Sequence, residues 1–220
     1  MTGKIAVVKL IKQGHACVRL QKDDRVIVID PGVFTAEADA LDGAEAILIT
    51  HEHPDHLDPD RIRRAQADDP ALRIFSNRAV AEQFPDLRIQ RVGHEDRFTV
   101  AGFDVQVYGD LHAVVHPDIP VVANSGFLVE GEVFHPGDSF TVPGQRVPTL
   151  LTPCDAPWLK AAEMLDYLRE IAPDRAYSIH DAYVSEIGMG VVDSFLAFER
   201  ERAGTDIRVF KAGETVELPA

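Results

Sequence analysis

The segment Thr50-His51-Glu52-His53-Pro54-Asp55-His56-Leu57 sets three imidazoles and two carboxylates within six consecutive residues. In extended chain, residues two apart project to the same side, so His51 and His53 can offer ring nitrogens to one cation, at about 2.0–2.1 Å if the cation is zinc. Pro54 ends the extension and re-aims the backbone. Asp55 and His56 then face a neighbouring position, where a carboxylate and an imidazole suit a second divalent ion.

The surrounding pattern explains how such a cluster is held. Ala46–Thr50 is a continuous apolar run, as in a strand buried on both faces, and Pro59–Ala67 reads as a helix capped by Asp58. The cluster therefore leaves the carboxyl end of a strand, where open sheets build their sites. Upstream, Lys4–Ile11, Ala16–Gln21 and Arg25–Asp30 read as strands, with a turn at Asp23-Asp24 and another at Asp30-Pro31-Gly32. Downstream come strand Arg73–Ser76, helix Asn77–Phe84, and strands Leu87–Val92, Arg97–Ala101 and Phe103–Tyr108. A loop over Leu111–Pro120 carries His112 and His116, and Phe127–Glu130 and Val133–His135 form a hairpin at Gly131. Strand Thr149–Thr152, helix Trp158–Ile171, strand Arg175–Ile179, helix Val191–Arg202 and strand Ile207–Phe210 complete the chain. Many strands with interspersed helices predict an α+β domain of two packed sheets with helices outside, spanning 1–220 without a linker or repeat.

Composition narrows the chemistry. The chain has 220 residues and a formal net charge of −14, a surface that repels phosphate backbones and anionic lipid. Nucleic acid and membrane are therefore not expected partners. Nowhere does the sequence offer about 18 consecutive apolar residues, and the opening residues lack a signal-peptide core, so a cytoplasmic location is expected. Cys17 and Cys154 stand alone, without metal-type spacing, and no disulfide is expected between them.

The H-x-H-x-D-H segment resembles the motif of the metallo-β-lactamase superfamily. Gly14-His15-Ala16-Cys17 and Ile29-Asp30-Pro31-Gly32 resemble the opening of its ascorbate-6-phosphate lactonase-like branch. The resemblance extends from about Ile5 to Phe210. It implies a four-layer αββα sandwich, with two divalent ions at one edge of the packed sheets (Zn2+ first, Mn2+ or Fe2+ as alternatives) and a bridging hydroxide that attacks the substrate. It assigns His51, His53 and His112 to one ion and Asp55, His56 and His180 to the other. Asp138, in Gly137-Asp138-Ser139, lies between them. His116 is the competitor to His112, which is favoured because it is nearer the strand end; His116 can instead line the mouth of the site. Asp55 is also the candidate general base.

Other residues carry two readings each. His15, His135 and Asp181 can support the ligands from behind or serve only the packing. Trp158 can line a substrate cleft or simply open its helix. The leading function is hydrolysis of an ester-like bond, such as a lactone or phosphodiester, in a small anionic or acylated metabolite. The alternatives are a non-catalytic metal-binding or sensing protein and a di-iron redox protein. Retention of His53 opposes the redox reading, because iron-binding redox relatives carry glutamate there, whereas Glu52 lies one position earlier. A homo-oligomer is compatible with the resemblance.

Overall fold

The computed structural model describes residues 7–37 and 39–219. The first sheet takes its strands mainly from the amino-terminal half: β1 (Val7–Gly14), β2 (Cys17–Lys22), β3 (Arg25–Ile29) and β4 (Ala46–Ile49), followed by α1 (Pro59–Asp68), β5 (Arg73–Ser76), α2 (Arg78–Gln83) and β6 (Ile89–Arg91). The second sheet comprises β7 (Arg97–Val100), β8 (Phe103–Tyr108), β9 (Gly126–Val129), β10 (Val133–His135) and β11 (Thr149–Pro153), then α3 (Ala161–Ile171), β12 (Arg175–Ile179), α4 (Glu186–Ala203) and β13 (Asp206–Arg208). The last strand, β14 (Thr215–Pro219), returns to the first sheet, whose order is β14-β1-β2-β3-β4-β5-β6; the second runs β13-β12-β11-β10-β9-β8-β7.

Three layers of apolar side chains separate the elements, as the alternation of a strand requires. Leu10, Leu20, Ile27, Leu48, Phe103, Phe127 and Tyr177 meet between the sheets. Val28, Ile47 and Ile49 face Ile62 of α1 and Val80 of α2. Leu128, Phe134 and Leu150 face Met164 and Leu168 of α3 and Leu196 of α4. The architecture is the expected α+β sandwich of four layers. A buried Lys12 ties β1 to the second sheet, donating to Ser178 O (3.0 Å), Phe210 O (3.3 Å) and Asp181 Oδ2 (2.9 Å).

Strand β14 has no counterpart among the elements expected from the sequence, and three expected elements start elsewhere. The strand expected at Lys4–Ile11 runs from Val7 to Gly14, and its first three expected residues lie outside the described part. The helix expected from Trp158 starts only at Ala161, because Lys160 is extended and takes the cap position. The last helix starts at Glu186 instead of Val191, since Ser185 caps it by accepting the Gly188 N–H. That cap outweighs the poor helix propensity of Gly188 and Gly190.

Candidate metal centre

Every residue of the centre leaves the carboxyl end of a strand. His15 follows β1, Asp30 follows β3, His51–His56 follow β4, His112 follows β8, Asp138 follows β10 and His180 follows β12. Three of these turn sharply out of their sheets in the left-handed region: His15 (φ 50°), Asp30 (φ 52°) and His180 (φ 63°). Such non-glycine conformations cost about 1–3 kcal/mol each and persist where the surroundings over-determine them. Glycine is required at position 32, where a Cβ would lie 2.0 Å from the Asp55 carbonyl oxygen. The turn at Asp30-Pro31-Gly32 thus packs directly under the ligand loop.

Hydrogen bonds on the outer side of each ring determine what the inner side presents. The Thr50 hydroxyl donates to Asp30 Oδ2 (2.6 Å), so its oxygen accepts from His51 Nδ1 at 3.0 Å. His56 Nδ1 donates to Asp30 Oδ2 (2.7 Å), His112 Nδ1 to Ala113 O (2.6 Å) and His180 Nδ1 to Asp155 O (2.5 Å). With those protons on Nδ1, the neutral rings turn four Nε2 lone pairs inward. Three of them face carboxylates. His56 Nε2 is 3.1 Å from Asp138 Oδ1; His112 and His180 Nε2 are 3.3 and 3.1 Å from Asp138 Oδ2. His180 Nε2 also lies 3.4 Å from Asp55 Oδ2, and His51 Nε2 lies 3.0 Å from His53 Nδ1.

A lone pair facing a carboxylate is repulsive unless a cation sits between or the ring takes up a second proton. The charge balance shows this conflict. Burial would lower His56, but the Asp138 and Asp30 carboxylates override it and raise the ring well above its ordinary value. His180 is likewise pushed up to about 9, against burial, by its bonds to Asp138 and Asp55. Burial drives His51 well below the ordinary range, with the neighbouring imidazoles adding to it, and lowers His53 the same way. Burial would raise Asp138, yet His56, His112 and His180 hold its carboxyl well down. Among the described residues, His56 Nε2, His180 Nε2 and Asp138 Oδ1 are buried without a hydrogen-bond partner. Such orphaned groups are rare, and divalent cations would satisfy all three. Ligand-type atoms fall within 4.8 Å of one another in three overlapping sets: His51, His53 and His112; His51, His56 and Asp138; and His15, Asp55, His56 and His180.

The remaining candidates separate cleanly. His15 Nδ1 accepts the Ala182 N–H (3.0 Å), so its Nε2 carries a proton and donates to Asp55 Oδ2 at 3.2 Å. It braces Asp55 and has no lone pair to offer a metal in that tautomer. His135 is fully buried; Nδ1 accepts the Gly137 N–H and Nε2 donates to Ala16 O, so it fastens the turn that presents Asp138. The Trp158 indole donates to Asp138 Oδ2 at 3.1 Å, so it reaches the centre itself and does not open the helix. Two further candidates stand apart from the cluster. His116 is carried away into solvent by the Pro117 turn and accepts only the Asp118 N–H. Asp181 turns its carboxylate to Lys12 and leaves the outer nitrogen of His180 to the Asp155 carbonyl. Both cysteines are buried, and burial pushes each thiol up to about 12.

Two participants are given no site role by the sequence. Asp30 reads there as part of a turn, although a carboxylate ending an apolar strand is an unusual placement. Tyr183 donates its hydroxyl to Asp55 Oδ2 at 3.1 Å, a contact across 128 residues of chain that only tertiary structure reveals.

Comparison with known proteins adds an independent line. The model of the beta-lactamase superfamily domain matches residues 9–180. Protein Rv0786c of Mycobacterium tuberculosis is 38% identical over 202 residues, covering 89% of this chain and 93% of that protein. A UPF0173 metal-dependent hydrolase of Roseobacter denitrificans is 28% identical over 144 residues, covering 60% of this chain and 63% of that protein. Among solved structures, the metallo hydrolase Igni18 of Ignicoccus hospitalis matches with a TM-score of 0.74 at 17% identity, covering 97% of this chain and 99% of that one. No helix among the described residues is long and apolar enough to cross a membrane.

Proposed function

The chain belongs to the beta-lactamase superfamily, and from that premise we propose that it is a metal-dependent hydrolase that holds two divalent cations and cleaves an ester-like bond in a small molecule. The observation that carries this reading is the convergence of three pinned imidazoles, His56, His112 and His180, on Asp138, with His51 in the same cluster and buried polar atoms left unpartnered. In this reading His51, His53 and His112 hold one cation, Asp55, His56 and His180 the other, and Asp138 lies between. Zn2+ suits this nitrogen-rich set best, with Mn2+ and Fe2+ as alternatives. When bound, such cations acidify water towards neutral pH and stabilise the negative charge that develops on the attacked group.

The chain's own residues supply orientation. Burial would raise the Asp55 carboxyl, but bonds from His15 and His180 hold it far below the ordinary range. Asp55 Oδ2 already accepts from His15 Nε2 and from the Tyr183 hydroxyl, an arrangement suited to aligning a donor. Tyr183 and Trp158 each donate to a ligand carboxylate, which leaves those oxygens fewer free lone pairs.

The test is metal content by plasma mass spectrometry beside turnover of a panel of chromogenic esters, lactones and phosphodiesters, for the wild type, Asp138→Ala and His180→Ala. About two ions per chain, with fewer ions and lost turnover in both variants, is the expected result. A wild type that stays empty after metal is supplied overturns the proposal, and two ions without turnover leave a binding protein. A chain isolated with iron and a redox signal would favour the di-iron reading.

A further inference from the structure

We infer that the substrate is an uncharged ester carrying an apolar acyl or aryl group, held between two apolar banks above the centre. This rests on the hydrolase reading and narrows it. The first bank is Val33, Phe34 and Tyr183. The Val33 N–H donates to Pro54 O (2.8 Å) beside Asp55, and the Phe34 ring centroid lies 5.5 Å from His15 and 5.3 Å from Tyr183. The second bank is the loop on either side of His112. Its base is fixed, the His112 N–H donating to Val122 O (3.0 Å) and the Ala113 N–H to Asp138 O (2.8 Å). From that base Leu111, Val114 and Ile119 stand 61%, 58% and 50% exposed, while across the centre Phe34 and Tyr183 are 41% and 55% exposed.

Large apolar side chains on ligand-bearing loops lose favourable burial unless something covers them. Their position beside the candidate ligands makes the substrate the natural cover. Charge decides what kind. The loops at this edge (30–45, 51–58, 109–125, 136–148, 154–160 and 180–185) contain two cationic residues, Arg146 and Lys160. Arg146 is paired with Asp174 and Lys160 with Glu163. The same loops carry Glu37, Glu52, Asp110, Asp118 and Asp155. Outside the centre itself, a phosphate or carboxylate on the substrate would meet no free cation among the described residues of these loops, and carboxylate- and phosphate-binding sites ordinarily supply one. The sugar-phosphate type of substrate implied by the lactonase branch is therefore a poor match.

In the reaction so defined, the oxygen of water forms the new bond to the acyl carbon and the acyl–oxygen bond breaks. One proton of the water ends on the leaving alkoxide, and the acid product ionises. The test uses the zinc-loaded protein with p-nitrophenyl esters from acetate to octanoate, beside bis-p-nitrophenyl phosphate. Each methylene that becomes buried can raise kcat/KM by up to about fourfold. We expect hexanoate to exceed acetate by about tenfold or more, and Val114→Asp/Ile119→Asp to reduce that ratio at least fivefold. Both positions are exposed, so the variant tests the bank without opening the core. A flat or falling series, a ratio untouched by the variant, or higher kcat/KM on the phosphodiester overturns the inference. If nothing is hydrolysed, the hydrolase reading fails, and the banks are tested by binding. Octanohydroxamate must then bind at least tenfold tighter than acetohydroxamate, followed by the emission of Trp158, the chain's single tryptophan; equal affinity overturns the inference.

Discussion

Substitution of Asp30 by asparagine probes the centre from behind without touching a proposed ligand. One buried carboxylate oxygen takes the His56 Nδ1 proton directly (2.7 Å) and orders His51 through the Thr50 hydroxyl (2.6 and 3.0 Å). These two rings belong to different ion sets, so a single change disturbs both. Replacing the group behind one ligand imidazole typically costs 10–100-fold in metal affinity. With two rings loosened, the upper end applies, about 100-fold or about 2.7 kcal/mol. Asparagine keeps the volume and can still accept the Thr50 N–H, which Asp30 Oδ1 accepts at 2.7 Å. The fold should therefore survive, as far-ultraviolet circular dichroism would show. The assay is competition for Zn2+ with a chromophoric chelator at pH 7.5, with Trp158 emission as a second reporter because its indole touches Asp138. Zinc affinities within threefold of the wild type, in a folded variant, would refute the claim that Asp30 sets the lone pairs of His51 and His56.

Three further outcomes are expected. With metal removed by chelation, the stability contributed by His180 is complete below its unfolded value of about 6.5 and is lost as pH rises through about 9, because its folded value is raised; thermal melts should fall across that window, and His180→Gln should flatten the slope. His51 and His53 are lowered and act in the opposite sense below that window. Lys12→Met leaves Asp181 and two buried carbonyls without their donor, a loss of about 3–5 kcal/mol that should lower Tm by about 10 °C; a calorimetric change under 2 °C would contradict it. Gly32→Ala, whose Cβ meets the Asp55 carbonyl, should weaken zinc binding at least tenfold by displacing the ligand loop. Gly93→Ala, whose Cβ meets nothing within 4 Å, serves as control and should leave zinc titrations unchanged.

The strand-then-motif logic was legible because the residues are contiguous. A buried apolar run followed at once by His51–His56 announces both the element and its purpose, and the placement of Asp138 and His180 after strands extends the same rule. What escaped depends on contacts between distant segments. Strand β14 alternates weakly and ends in proline, so only its pairing with β1, Val8 opposite Leu218 and Leu10 opposite Val216, makes it a strand. Nothing local says that Trp158 donates to Asp138, because the indole comes from the loop between β11 and α3. His112 and His116 share one loop and one residue type; the backbone bonds at Val122 and Asp138, which no pattern encodes, bring one in and leave the other out.

The left-handed turns at His15, Asp30 and His180 have a bearing on how this protein would respond to directed evolution. Each stores backbone energy that glycine or asparagine would release, and the crowded imidazoles add an electrostatic cost that a bound ion removes. His180 is the exception, since its ion pairs with Asp138 and Asp55 stabilise the metal-free fold below about pH 9; a library screened for heat resistance in the presence of chelator should accumulate replacements at His15 and Asp30. Screened with metal present, the same library should keep them, since bound metal stabilises the folded form. The contrast between the two selections would map the centre from survival alone, with no substrate in hand.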